Sequence, residues 1–183
     1  MKVIDILNNT DKPVFSFELV PPLKGGDINK IYEAIEPLIA LAPPFINITF
    51  HRDEVVYREY PDGTIKKVTV TKRPGSVALA AAIMRRYNVD MVPHIVCGGA
   101  TRHKIENELI DLNFLDIENV MALRGDPIPG ERFFTPEEGG HRYSCELVEQ
   151  ITRMNHGQYL DDTLTDTVPT NFCIGVAGYP EKH

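Results

Sequence analysis

Short β-prone runs alternate with helical runs along this 183-residue chain, at roughly 35 residues per unit. This alternation restricts the fold more than any other feature, because it implies a parallel sheet with right-handed crossovers. Strands are expected over 14–20, 45–50, 91–97, 119–123 and 171–177, and helices over 27–41, 76–87, 101–112 and 144–154. Asp27, Ser76 and Thr101 read as helix N-caps. In the first helix Ile28, Ile31, Ile35, Leu38 and Ile39 fall at helical spacing. One segment breaks the pattern. Residues 55–71 alternate about Asp62-Gly63, which predicts a β-hairpin inserted between the second strand and its helix. The connections 127–143 and 155–170 are long, polar and Gly/Pro-bearing, and loops beyond about 12–15 residues are usually functional.

A closed (β/α)8 barrel takes about 250 residues. The chain therefore supplies either the first five βα units of such a barrel or an open, doubly wound sheet, and periodicity does not choose between them. Nineteen basic against 26 acidic residues give a net charge of −7. That balance repels nucleic acid and anionic membranes, so neither is expected as a partner. The N-terminus lacks the apolar core of a secretory signal, and the longest apolar stretch, 77–84, is far short of the roughly 20 residues that cross a bilayer. Cys97, Cys145 and Cys173 form no C-x-x-C pair, which predicts reduced thiols in a cytoplasmic protein.

In any parallel βα arrangement the C-terminal strand ends share one rim, where ligands bind. The first strand brings Glu18 to it, between Phe17 and Leu19; the second brings Thr49, then His51, Arg52 and Asp53. The third brings His94 with Gly98-Gly99 beyond it, and the fourth ends in Leu123-Arg124-Gly125-Asp126. Tyr179 and His183 follow the fifth. Apolar neighbours predict a buried Glu18, suited to general-acid work. Each residue has a plainer reading as well: Asp126 as a turn carboxylate, His94 as a hydrogen-bonded core histidine, Thr49 as an ordinary strand residue. Six histidines include no H-E-x-x-H pattern, so no metal site is expected. Neither G-x-S-x-G, G-x-x-x-x-G-K-[ST] nor G-x-G-x-x-G occurs, and Gly98-Gly99-Ala100-Thr101 is a weak anion-binding signal on its own.

The strings Ser16-Phe17-Glu18-Leu19-Val20-Pro21-Pro22, Pro93-His94-Ile95-Val96-Cys97, Ala122-Leu123-Arg124-Gly125-Asp126 and Gly175-Val176-Ala177-Gly178-Tyr179-Pro180-Glu181-Lys182-His183 occur in that order. Together they resemble methylenetetrahydrofolate reductase of the bacterial, catalytic-domain-only type. The resemblance implies a (β/α)8 TIM barrel forming one catalytic domain over 1–183, continued by three further βα units. It implies FAD on the C-terminal face, NADH or NADPH as co-substrate, and methylenetetrahydrofolate as the small-molecule substrate. Glu18 would then be the general acid and Asp126 a catalytic residue near flavin and folate. Thr49, His94, Leu123, Arg124, Gly125, Asp126, Tyr143, Ser144, Ala177, Tyr179 and His183 match cofactor-contacting positions, with Ser144 standing where the family has alanine. The loop after Thr49 departs from the pattern: the family is Gly/Ala-rich there, whereas this chain has Phe50-His51-Arg52-Asp53-Glu54. A sheet of five strands has two open edges, which predicts a homo-oligomer. The alternative is a non-catalytic flavin- or folate-binding module completed by a partner chain.

Overall fold

The structure, a computed structural model, describes residues 1–128, 131–179 and 181. Its elements are α1 (Val3–Asn8), β1 (Phe17–Leu19), α2 (Ile28–Ile39), β2 (Phe45–Ile48), β3 (Glu54–Glu59), β4 (Ile65–Val70) and α3 (Ser76–Tyr87). They continue with β5 (Asp90–Val96), α4 (Arg102–Phe114), β6 (Asn119–Leu123), α5 (Ser144–Met154) and β7 (Cys173–Val176). Five strands form one parallel sheet in the order β1-β2-β5-β6-β7, and β3-β4 pair antiparallel. With the hairpin set aside, spatial order equals chain order. A doubly wound sheet reverses direction at a switch point, whereas a barrel adds every strand to the same side. The order therefore selects five successive units of a (β/α)8 barrel wall.

Strand alternation separates two faces. Ile46, Ile48, Met91, Ile95, Val120 and Ala122 turn outward and pack on Ile35, Leu79, Ile83, Leu109, Leu112, Leu147 and Ile151 of the helices, all buried. Each of these Ile, Leu, Val and Met side chains contributes on the order of 1.5–3 kcal/mol. Val92 and His94 turn the other way, onto the inner face.

Capping follows the sequence in part. The Asp27 side chain accepts from Asn29 N at 2.9 Å, and Thr101 accepts from Lys104 N at 3.2 Å. Ser76 is the first helical residue rather than the cap; Gly75 occupies that position, and Ser76 Oγ donates to Glu108 Oε1 at 3.4 Å. Burial pushes the Glu108 carboxyl above its ordinary range. The first strand is three residues long instead of seven, because β1 pairs only with β2 over Phe17–Leu19. The hairpin forms where expected, with Gly63 at φ +76° and Asp62 Oδ1 accepting from Thr64 N at 3.0 Å.

Helix α1 has no counterpart in the sequence pattern. It is held at the opposite end of the strands: Val3 N donates to Asn119 Oδ1 at 2.8 Å, Asn119 Nδ2 donates to Met1 O at 3.0 Å, and the Met1 ammonium meets Asp90 Oδ1 at 2.7 Å. The 155–172 connection is anchored by Asn155, whose Nδ2 donates to Phe172 O at 2.9 Å while Oδ1 accepts from Thr170 Oγ1 and Phe172 N, both at 2.8 Å. Among the described residues no helix is long and apolar enough to cross a membrane. The three cysteines are free thiols.

Candidate active site

The inner-face side chains are placed by strand register. Glu18 pairs with Asn47, Asn47 with Val92 and Ile48 with Pro93, so Thr49, one step beyond, comes level with His94. His94 is opposite Met121, and Val96 opposite Leu123. Glu18, Asn47, Thr49 and His94 are polar inner-face residues, with Val92, Met121, Val96 and Leu123 apolar beside them.

Glu18 Oε2 lies 3.7 Å from His94 Nε2. Their environments differ sharply: the His94 side chain is 7% exposed and that of Glu18 58%. The burial expected for Glu18 is therefore not found. Phe17 and Leu19 point to the helix side, while Glu18 points to the inner face and opens into a cavity. Burial lowers the His94 pKa below its ordinary value, and the Glu18 carboxylate opposes that shift. His94 Nε2 is buried without a hydrogen-bond partner among the described residues, as is Asn47 Oδ1. The reading of His94 as a fully hydrogen-bonded core histidine thus fails. Asn47 Nδ2 reaches Ser16 Oγ at 3.3 Å, and Thr49 Oγ1 donates to Leu19 O at 3.3 Å.

Above these residues is a cavity of about 770 Å³, lined by Glu18, Thr49, His94, Leu123, Gly125 and Asp126 among others. A second, of about 400 Å³, shares Leu123, Gly125 and Asp126 with it and adds Arg124, Tyr143, Ser144, Ala177 and Tyr179. Every described residue singled out as catalytic or cofactor-contacting lines one of the two. His183 lies outside the described residues.

Gly125 is required at the junction. Its φ is +85°, and a Cβ there would stand 2.6 Å from Val96 Cγ1. Gly98 N donates to Arg124 O at 3.2 Å and Cys97 N to Leu123 O at 3.0 Å, so the ends of β5 and β6 stay tied beyond their ladder. Burial pushes the Cys97 thiol up to about 11.

Tyr143 and Ser144 are placed by the start of α5. Glu146 Oε2 accepts from Arg142 N at 2.6 Å and Tyr143 N at 3.2 Å. Behind that turn the buried His141 and Gln150 are hydrogen-bonded, Nε2 to Oε1 at 2.5 Å, and Gln150 Nε2 donates to Arg102 O at 3.0 Å. The recess of about 270 Å³ beside them contains none of the expected site residues.

The feet of the hairpin also reach the rim. Glu54, Val55, Lys72 and Arg73 line the larger cavity; Lys72 pairs with Glu54 at 2.5 Å, Lys24 N donates to Lys72 O at 2.8 Å, and Arg73 Nη1 donates to Pro21 O. Sequence reading placed the hairpin but assigned its feet no role. The signal was available, since an insertion that starts directly after a strand end must have its base at that end.

The family model described as methylenetetrahydrofolate reductase matches residues 2–183. The chain belongs to the methylenetetrahydrofolate reductase family. It is 29% identical over 186 residues to methylenetetrahydrofolate reductase (NADH) 1 of Arabidopsis thaliana, an alignment covering the whole of this chain and 26% of the plant protein. It is 24% identical over 170 residues to 5,10-methylenetetrahydrofolate reductase of Pectobacterium carotovorum, across 92% of this chain and 44% of the bacterial one. A Caenorhabditis elegans relative named as probable methylenetetrahydrofolate reductase (NADPH) is 25% identical over 180 residues, with 23% of its length covered. The chain thus spans about a quarter of the two eukaryotic reductases and 44% of the bacterial one. The barrel wall seen here is the architecture expected of the family.

Proposed function

We propose that the protein to which this chain belongs reduces 5,10-methylenetetrahydrofolate to 5-methyltetrahydrofolate, with FAD as resident cofactor and NADH or NADPH as electron source. The single observation that carries this reading is the rim itself: Glu18, His94 and Asp126 line one cavity, contiguous at Gly125 with the pocket of Arg124, Tyr143 and Ala177.

The residues present suit a flavin. The buried His94 Nε2 has no hydrogen-bond partner among the described residues, and His94 and Gly125, which has no side chain, both line the cavity. Thr49, His94, Leu123, Arg124, Gly125, Asp126, Tyr143, Ser144, Ala177 and Tyr179 would hold it. Bound flavin supplies a two-electron relay, accepting hydride from the nicotinamide and delivering it to the folate's methylene carbon.

The chain's own part is acid–base and electrostatic. Reduction of methylenetetrahydrofolate consumes one hydride and one proton, because the imidazolidine ring opens by cleavage of a carbon–nitrogen bond and the departing nitrogen takes the proton. Glu18, at the open end of the cavity, is placed to deliver that proton. Asp126, on the loop after β6, hydrogen-bonds the folate and adds negative charge near the flavin. Relatives named for NADH and for NADPH support a nicotinamide donor of either kind.

The test is the visible spectrum of the full protein after incubation with FAD and removal of the excess. Retained flavin absorbance, bleached anaerobically by NADH or NADPH and restored by methylenetetrahydrofolate, is the expected result. Flavin that bleaches but is not reoxidised by the folate refutes the substrate assignment; a protein that retains no flavin refutes the cofactor.

A further inference from the structure

We propose that Arg73, at the second foot of the β3–β4 hairpin, is a positioning residue for Glu18, acting through the carbonyl of Pro21. The proposal rests on the reading of Glu18 as proton donor given above, and adds to it the group that aims the carboxyl.

Glu18 has little of its own to hold it. Its side chain is 58% exposed and makes no hydrogen bond among the described residues. His94 Nε2, 3.7 Å away, is beyond hydrogen-bond distance. A carboxyl in that state takes its direction from the backbone beneath it. Strand β1 supplies only Phe17–Leu19, registered on β2. Thr49 fixes the last of these residues, its N and Oγ1 donating to Leu19 O at 3.0 and 3.3 Å.

Beyond Leu19 the ladder stops, because Pro21 and Pro22 have no N–H to give. Pro21 is nevertheless buried, so its carbonyl needs a partner. Arg73 supplies it: Nη1 donates to Pro21 O. Three residues on, Lys24 N donates to Lys72 O at 2.8 Å. Among the described residues these are the two hydrogen bonds that tie 20–24 to a distant segment, and both end on 72–73.

The hairpin is a firm anchor for that tie. Lys72 pairs with Glu54 at 2.5 Å, which holds its two feet together, and Glu54 is opposite Val70 in the ladder. Arg73 shares the larger cavity with Glu18, Asp53 and Asp126 yet makes no ion pair among the described residues, so its grip is on the backbone. A hydrogen bond from a charged donor is stronger than a neutral one. Precise aim matters here, since a displacement of about 1 Å at a reacting group costs up to about 10²-fold in rate.

The experiment follows the two half-reactions by stopped-flow absorbance in the FAD-loaded full protein, for wild type, Arg73→Met, Arg73→Lys and Glu18→Gln. Arg73→Met should slow folate reduction about tenfold and leave flavin reduction by the nicotinamide within about threefold. Arg73→Lys, which still offers a charged donor, should recover most of the rate. In a Glu18→Gln background Arg73→Met should add no further loss, because a residue that acts through Glu18 then has nothing left to place. Hydrogen exchange in residues 20–24, measured without added cofactor, should quicken in Arg73→Met and stay near the wild-type rate in Arg73→Lys. Should Arg73→Met fail to fold, Arg73→Gln, with a neutral donor on a shorter stem, reads the same split. Equal losses in both half-reactions, as a merely structural role would give, overturn the proposal; so do unchanged rates, unchanged exchange, or a full further loss in the double variant. If Glu18→Gln alone leaves folate reduction intact, the proton-donor reading itself fails, whatever the Arg73 variants do.

Discussion

Glu18 on β1 and His94 on β5 approach to 3.7 Å across the intervening strand β2, the carboxylate mostly open to the cavity and the imidazole almost wholly enclosed. The pair joins a carboxyl open to the cavity to an imidazole whose burial disfavours charge. Burial holds His94 neutral, and the nearby carboxylate is the influence that draws a proton back to it. This asymmetry suits a site that delivers one proton per turnover while keeping a neutral, hydrogen-bond-capable edge for a ring system.

Replacing the carboxylate separates the two halves of the proposed reaction. Glu18→Gln should slow folate reduction by at least about 10²-fold and leave nicotinamide-dependent flavin reduction within about threefold of wild type. Stopped-flow absorbance of the two half-reactions measures this directly, and equal loss in both would remove Glu18 from the role of acid.

The pH dependence of stability has a definite sign at His94. Its folded-state pKa is depressed, so the unfolded chain binds more protons once pH falls through the ordinary histidine range near 6.5. The stability contribution is complete above that value and is lost as pH drops toward the folded pKa. His51, depressed chiefly by partial burial and then by Arg73, acts in the same direction. Urea midpoints at pH 7.5 and 5.5 should therefore fall further for wild type than for His94→Gln; identical falls would contradict the assignment.

Gly125→Ala combines two penalties, a side chain at φ +85° and a Cβ 2.6 Å from Val96 Cγ1. A loss of about 1–3 kcal/mol is expected in chemical denaturation, accompanied by weaker flavin retention. Gly63→Ala serves as the comparison. It has a similar φ of +76° but nothing within 4 Å of its Cβ, so it should cost less and leave flavin binding intact.

Asn155→Ala should untie the two ends of the 155–172 connection from each other. Three hydrogen bonds disappear together, which costs about 1–3 kcal/mol and exposes the segment to proteolysis. Limited chymotrypsin digestion, with cleavage after Tyr159 or Leu160, reads the release before global unfolding does.

Thiol chemistry distinguishes the cysteines. Cys97 is buried and its thiol is pushed up to about 11, whereas Cys145 is exposed. Alkylation of native protein near pH 8 should modify Cys145 well before Cys97, with Cys97 reacting only after denaturant is added. Mass spectrometry of the digested protein locates the label.

The alternation of β and helical runs was enough to specify parallel strands, because local backbone preference and hydrophobic period act within a few residues. It also named the rim: in a parallel sheet every strand end lies on one side, so Glu18, Thr49, His94, Arg124 and Asp126 could be assembled from strand boundaries alone. Asp62-Gly63 likewise marked the hairpin through its turn chemistry. Tertiary structure decided the rest. Strand order, which separates a barrel wall from a doubly wound sheet, depends on which side each new strand adds to, and no local pattern encodes that. Glu18 opens into the rim cavity, a placement that Phe17 and Leu19 beside it do not reveal. Helix α1 forms where Asn119, more than a hundred residues away, supplies its anchor. The tie from Arg73 to Pro21 likewise depends on two segments converging in space, a relation between surfaces that spacing along the chain does not carry.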